Sequence, residues 1–275
     1  MSAAVQSVRI NGNAVQHPKK LRYLFPEPLS HTKQLAERLR TLTYLTAERL
    51  GPRDSYPLQD PSATQVVGPR GENAVGLLYQ RRGQSVIRAL ADESEPPTLL
   101  KQVGARMKSF FPRTVLDVQK VLQTNSVVLG VRTSDDTDFH RPVNVGFGLT
   151  QVLPIIVGAL AAKEADLLLI ENPEVHLHPA GQALMGQFLV EVAAAGVQVI
   201  VESHSDHVLN GIRRAVKAGR LKAGHVALHF FKPRTDGADQ VVTPLMDDTG
   251  KIDHWPTGFF DQFDRDLNYF AGWGD

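Results

Sequence analysis

The chain has 275 residues, a formal net charge of +1 and no cysteine. That length suits one large domain or two small ones, and the balanced charge offers no global field for nucleic acid or membrane. Without cysteine there can be no disulfide, thiolate zinc site or cysteine nucleophile.

"SVRINGNAV" reads as a hairpin around Asn11-Gly12. Residues 31–42 have helical spacing, with Leu35, Leu39 and Leu42 on one face. "TYLTAERL" reads as a short strand entering the loop "GPRDSYP". "VGPRGENAVG" (67–76) is a turn before a helix, and "GENAVGLLYQRR" and "PTLLKQVGARMKSFF" are expected helices separated by the polar loop "DESEPP". "SVVLGVRT" alternates as a strand does.

From Asn144 the pattern changes. "GFGLTQVLPIIVGALAAKEA" is a glycine turn followed by an apolar helix, and "DLLLIE" a buried strand. "PAGQALMGQFLVEVAAAG" is a helix with Pro179 at its start and Gly196 past its end. "VQVIVES" is expected as a second buried strand, "SDHVLNGIRRAVKAG" as a capped helix and "HVALHFF" as a third strand. Helices alternating with strands predict an α/β fold with a parallel sheet. Ligands of such sheets sit at the carboxyl ends of the strands, which is where Glu171 and the segment Glu202–His204 fall.

Neither "VLPIIVGALAA" nor "EVAAAGVQVIV" is long enough to span a bilayer. The first twenty residues lack an apolar core of signal-peptide length. The expected location is therefore cytoplasmic.

Three segments carry chemistry. In "LLLIENPE" a buried strand ends in a carboxylate, the pattern that serves a nucleotide's magnesium; alone, it reads equally as a helix-capping acid. "VIVESHSD" places His204 at a second strand end, where it can meet a phosphate or order water, or simply bond a backbone carbonyl. "VNVGFGLTQVLP" opens backbone N–H groups at a helix start, an anion site in form, or a plain tight turn.

Their order and spacing resemble the second half of an ABC-type ATPase head. "GFG" resembles the signature motif, "LLLIENPE" Walker B, "HLHP" the D-loop region and "VIVESHSDH" the switch-histidine segment. "ENPEVHLHP" is similar to bacterial AAA/ABC-type ATPases of the RecF-like and overcoming-lysogenization-defect type, relatives of structural-maintenance-of-chromosomes heads. "YLTAERLGPRDSYP" (44–57) and "GKIDHWPTGFFDQ" (250–262) resemble an uncharacterised subfamily of these ATPases. The resemblance implies a P-loop NTPase-like fold, ATP and Mg2+ as cofactors, and a homodimer or a P-loop-containing partner. It implies Glu171 at the metal and Asn172, Glu174 and His204 around the attacking water. It also implies Gly146, Phe147, Gly148, Gln151 and His178 as nucleotide-contacting positions. Nucleic acid enters by family association only.

The departures are specific. No G-x-x-x-x-G-K-[ST] occurs in these residues, so the expectation is a C-lobe without its P-loop lobe. Gly146 stands where many relatives carry serine. Asn172 stands where the catalytic glutamate is expected, and an amide can orient water but not take its proton. The expected organisation is an N-terminal hairpin and helix (1–43), the ATPase lobe (44–232) and a C-terminal cap (233–275). In the cap, Trp255, Phe259, Phe260, Phe263 and Phe270 are expected to pack together. The basic "RRAVKAGRLK" is expected to be a solvated face. Two other readings remain. One is a non-hydrolysing interaction module. The other is a metal-dependent hydrolase using Glu171, Glu174, His176, His178, His204 and His207.

Overall fold

A computed structural model describes residues 8–10, 13–15, 21–22, 25–26, 30–234 and 239–273. The chain divides into two units, Met1–Thr41 and Leu42–Asp275. In the first, β1 (Val8–Ile10) pairs antiparallel with β2 (Asn13–Val15), so that Ile10 faces Asn13. The Asn11-Gly12 turn itself lies outside the described residues. A second antiparallel pair, β3 (Leu21–Arg22) and β4 (Phe25–Pro26), precedes α1 (Ser30–Thr41). Leu35 and Leu39 of α1 are exposed.

The second unit opens with β5 (Thr43–Leu45), β6 (Tyr56–Pro57), α2 (Ala74–Gln80) and α3 (Leu99–Phe110). Strands β7 (Val115–Lys120) and β8 (Ser126–Arg132) form an antiparallel ladder to which β6 adds, in the order β6-β8-β7. Val127, Leu129 and Val131 of β8 point inward in strict alternation. The polar loop 92–97 is held by one buried side chain. Gln102 donates to the carbonyls of Asp92, Glu95 and Pro96 and accepts from the Asp92 N–H.

Then come α4 (Phe147–Ala161), β9 (Leu167–Glu171), α5 (Pro179–Ala194), β10 (Gln198–Glu202) and α6 (Asp206–Lys217). α4 is apolar all round, and every residue from Leu149 to Leu160 is buried, as such a helix must be. It contacts α2, α3, β5 and β9 and forms the centre of the core. α5 and α6 approach closely through glycines. A Cβ on Gly211 would overlap the Ala183 carbonyl oxygen, and one on Gly186 the Val208 carbonyl oxygen. Ser205 caps α6 by accepting from the Val208 N–H at 3.1 Å.

The parallel sheet has the order β10-β9-β5. Its register places Tyr44, Leu169 and Ile200 in one row and Glu171 beside Glu202 two rows further on. Two expectations are corrected here. "HVALHFF" is not a third parallel strand: only β11 (Phe230–Phe231) forms, paired antiparallel with β12 (Val241–Val242). The third strand is β5, from far earlier in the chain. Nor is β10 buried, because it lies at an edge of the sheet and exposes Gln198, Ile200 and Glu202.

A small second core joins Leu209 of α6 to Ile252 and Phe259, with Phe230, Met246 and Phe260 against it. Phe259 stacks on Trp255, Phe230 and Phe260 with centroids 4.9–5.4 Å apart. Phe263 and Phe270, on α7 (Gln262–Phe270), are exposed, so the expected aromatic cap is only partly formed. In "RRAVKAGRLK" Ala215 and Val216 face inward while Arg214, Lys217 and Arg220 face solvent.

Candidate functional site

The site is built at the carboxyl ends of β9 and β10. Each is a five-residue strand ending in glutamate, and their register sets Glu171 and Glu202 side by side. Glu171 is heavily engaged. Its Oε1 accepts from the Tyr44 hydroxyl at 2.6 Å and its Oε2 from the Ala47 N–H at 3.0 Å. The Tyr44 hydrogen bond, then the Ala47 N–H, hold the Glu171 carboxyl below its ordinary range, and the same bond raises the Tyr44 phenol. Glu202 is largely exposed, and His204 Nε2 lies 3.8 Å from its Oε1.

Asn172 turns the chain with φ +41°, a left-handed conformation that asparagine tolerates better than most residues. Its N–H donates to the Glu202 carbonyl at 2.9 Å, which closes the two strand ends together. Glu174 is a tether. Its Oε2 accepts from the Ser203 hydroxyl at 2.8 Å, and its Oε1 accepts from the His204 N–H at 3.0 Å and from Asn172 Nδ2 at 3.4 Å. Ser203 Oγ also accepts from the Ser205 N–H, and Ser205 donates to Gln182 Oε1 at 2.6 Å. The β10 exit is thereby fixed to the β9 exit and to α5. The His204 ring is left free to solvent, with 80% of its side chain exposed.

The α4 turn meets this region through His176, another left-handed residue at φ +62°. The Phe147 and His176 rings pack edge to face at 5.0 Å. A Cβ on Gly148 would stand 2.7 Å from the His176 carbonyl oxygen, so only glycine lets the turn approach this closely. Gly146 is the N-cap of α4 and is exposed, and Phe147 is half exposed. Gln151 points inward instead. It is buried, and its amide donates to the carbonyls of Arg49 and Leu50 at 3.3 Å each. His178 sits exposed at the N-cap of α5, with no side-chain capping bond.

The sheet end therefore gathers Glu171, Asn172, Glu174 and His204, while Gly148 and Phe147 touch it through His176. Gln151 lies behind it, in the interior. Sequence reasoning passed over Tyr44 and Arg49, and put Glu202 and Ser203 at the strand end without giving either a role. Glu202 had a signal, since both strands end in glutamate. Tyr44 had none, because its partner lies 127 residues away.

Among the described residues no three His, Asp or Glu side chains are grouped to hold an ion by themselves. Magnesium needs no such cage, being held by one or two carboxylates, water and substrate phosphates. The Glu171–Glu202 row fits that need, and the open N–H groups at the start of α4 fit an anion.

A family described as "AAA domain, putative AbiEii toxin, Type IV TA system" matches residues 48–210, more than half of the chain. The chain belongs to this AAA-domain family. Every candidate named above except Tyr44 and Ala47 falls inside the AAA domain. Residues 221–269 match a second family, a protein of unknown function. Among curated proteins none matches. A solved chain from work on ATP-driven dimerization and DNA-stimulated activation of SMC ATPases is similar at 12% identity and a TM-score of 0.42, over 62% of this chain and 91% of that one. An Smc head bound to the C-winged helix domain of ScpA is similar at 14% identity and a TM-score of 0.37, over 51% of this chain and 41% of that one. Among the described residues no helix of the AAA-domain protein is long and apolar enough to cross a membrane.

Proposed function

We propose that this AAA domain is an ATP-binding, ATP-hydrolysing head of ABC type that acts with a P-loop-bearing lobe or partner. The observation that carries it is the convergence of Glu171, Glu202, Asn172 and His204 at the ends of two parallel strands. The α4 turn reaches that end through His176. Glu171 and Glu202 would hold hydrated magnesium, which offsets charge on the phosphates when bound. Asn172 would orient a water, and the exposed His204 ring would meet the terminal phosphate or that water. Gly146, Phe147 and Gly148 would face nucleotide held by a second head. Val143 and Phe147, 47% and 49% exposed beside that turn, suit such an interface. His178, two residues after His176, is exposed as well. A role in DNA maintenance or phage defence belongs to this proposal through family association.

These residues contain no P-loop lysine, so most phosphate contacts must come from elsewhere. The 275-residue chain alone should bind Mg-ATP weakly and turn it over slowly, and a P-loop-bearing partner should restore both. Calorimetry and phosphate release test this. Robust turnover by the pure chain, abolished in Glu171→Gln, would overturn the need for another lobe.

A second reading, a non-hydrolysing interaction module, is favoured by one feature. Asn172 cannot act as a base, and both oxygens of the carboxylate its amide contacts, Glu174, are committed to Ser203 and His204. Mg-ATP binding without any partner would count against it.

A further inference from the structure

We infer that Arg49 is a positioning residue: its buried guanidinium holds the Asn172 turn in its left-handed form and links that turn, through Gln151, to the start of α4. Arg49 is 5% exposed. Its NH1 donates to the Glu171 carbonyl at 2.8 Å and the Thr46 carbonyl at 3.0 Å, and its NH2 to the Asn172 carbonyl at 2.8 Å. In an extended strand, successive backbone groups point to opposite sides. The carbonyls of Glu171 and Asn172 reach one guanidinium because the chain turns between them, at φ +41°. A planar fork can span two such acceptors, whereas an ammonium presents a single point charge.

The remaining nitrogen, Nε, is buried without a partner. Burial lowers the Arg49 pKa to about 10, opposed by Glu174 and then Glu171, so the group stays charged at neutral pH. Arg49 is thus retained in a costly setting whose satisfied bonds all go to backbone at the candidate site and its adjoining loop. On the opposite side, the Gln151 amide grips the carbonyls of Arg49 and Leu50. A shift of α4 is therefore delivered to the Arg49 backbone, and through its side chain to Asn172 and the neighbouring Glu174. The functional meaning rests on the proposed ATPase reading, but the conformational claim does not.

The test is nuclear magnetic resonance on the full chain without nucleotide, comparing wild type with Arg49→Gln, Arg49→Lys, Gln151→Met and Val127→Ala. The last removes core packing in β8, away from the site. The readouts are the amide–Hα coupling of Asn172 taken with its intraresidue amide–Hα nuclear Overhauser effect, which together report its left-handed φ, and amide exchange at Asn172, Val175 and Leu177. Arg49→Gln should abolish the left-handed signature and speed these exchanges by about tenfold or more. Arg49→Lys should not rescue them. Gln151→Met should speed the same amides by roughly threefold, and Val127→Ala should leave the Asn172 coupling as in wild type. An unchanged Asn172 coupling in Arg49→Gln, or full rescue by lysine, overturns the positioning role. Wild-type exchange at 172–177 in Gln151→Met overturns the link to α4. The same change in Val127→Ala reduces Arg49 to general stability and also overturns the proposal. If Arg49→Gln does not fold, the lysine and Gln151 variants decide. None of these readouts depends on ATP, so failure of the ATPase reading would leave their outcome intact.

Discussion

Truncating Glu174 separates a tether from a catalytic base. Its carboxylate accepts from Ser203 Oγ at 2.8 Å, the His204 N–H at 3.0 Å and Asn172 Nδ2 at 3.4 Å. The last is long and contributes little. Hydrogen bonds to a charged acceptor contribute about 1.5–3 kcal/mol each when well enclosed. Here the His204 N–H is exposed and regains water on truncation, so its loss costs less than that range. Glu174→Ala should therefore destabilise by about 2 kcal/mol, mostly through Ser203. At a urea slope of about 3 kcal/mol/M this lowers the midpoint by about 0.7 M. Glu174→Gln keeps an acceptor for His204, and the Ser203 hydroxyl can rotate to accept from the new amide. Its cost should be about 0.5 kcal/mol. Ser203→Ala combined with Glu174→Ala should be clearly non-additive, because the two share one bond. Urea unfolding of wild type, the three single variants and the double variant gives all these values. A Glu174→Ala midpoint within error of wild type would refute the tether. If a P-loop-bearing partner restores turnover, Glu174→Gln should retain most of it; complete loss at preserved stability would make Glu174 the base instead.

Tyr44 and Glu171 predict a pH window. Glu171 has a lowered folded pKa, so its contribution is present above the ordinary carboxyl range and is lost as pH falls through the folded value. Tyr44 has a raised folded pKa, so its contribution is present below 10.0 and is lost as pH rises through the folded value. Phenolate absorbance should show Tyr44 ionising above 10.0, and Tyr44→Phe should flatten both ends of the stability profile; ionisation at or below 10.0 would count against the bond. Gly211→Ala should destabilise by about 2–4 kcal/mol, because its Cβ overlaps the Ala183 carbonyl oxygen and α5 and α6 must separate. Gly146→Ala has open space and should stay within about 0.5 kcal/mol of wild type in the same melts. Phe188→Ala, at 2% exposure among α5 core residues, should cost about 3–5 kcal/mol by calorimetry.

Several of the local elements and their ends can be read from the residues alone. The apolar run 167–170 is a strand because four consecutive large apolar residues need burial, and its end at Glu171 follows from the abrupt change to polar residues. The glycine turn before α4, the Pro179 start of α5 and the Ser205 cap of α6 are all local chemistry, and each stands where the sequence puts it. Tertiary structure decided which strand completes the sheet. "HVALHFF" has the composition of a strand, yet β5 takes the place beside β9, because pairing depends on what the rest of the chain can close against it. It also decided what the candidate residues touch. Glu174 became a tether once Ser203, 29 residues away, came within 2.8 Å. Gln151 turned inward because the Arg49 and Leu50 carbonyls, 102 and 101 residues away, needed a donor. Hydrophobic periodicity and capping act within a few residues of one another and can be read along the chain. The partners of a buried polar group are set by where distant backbone is brought to lie, and only the folded chain specifies that.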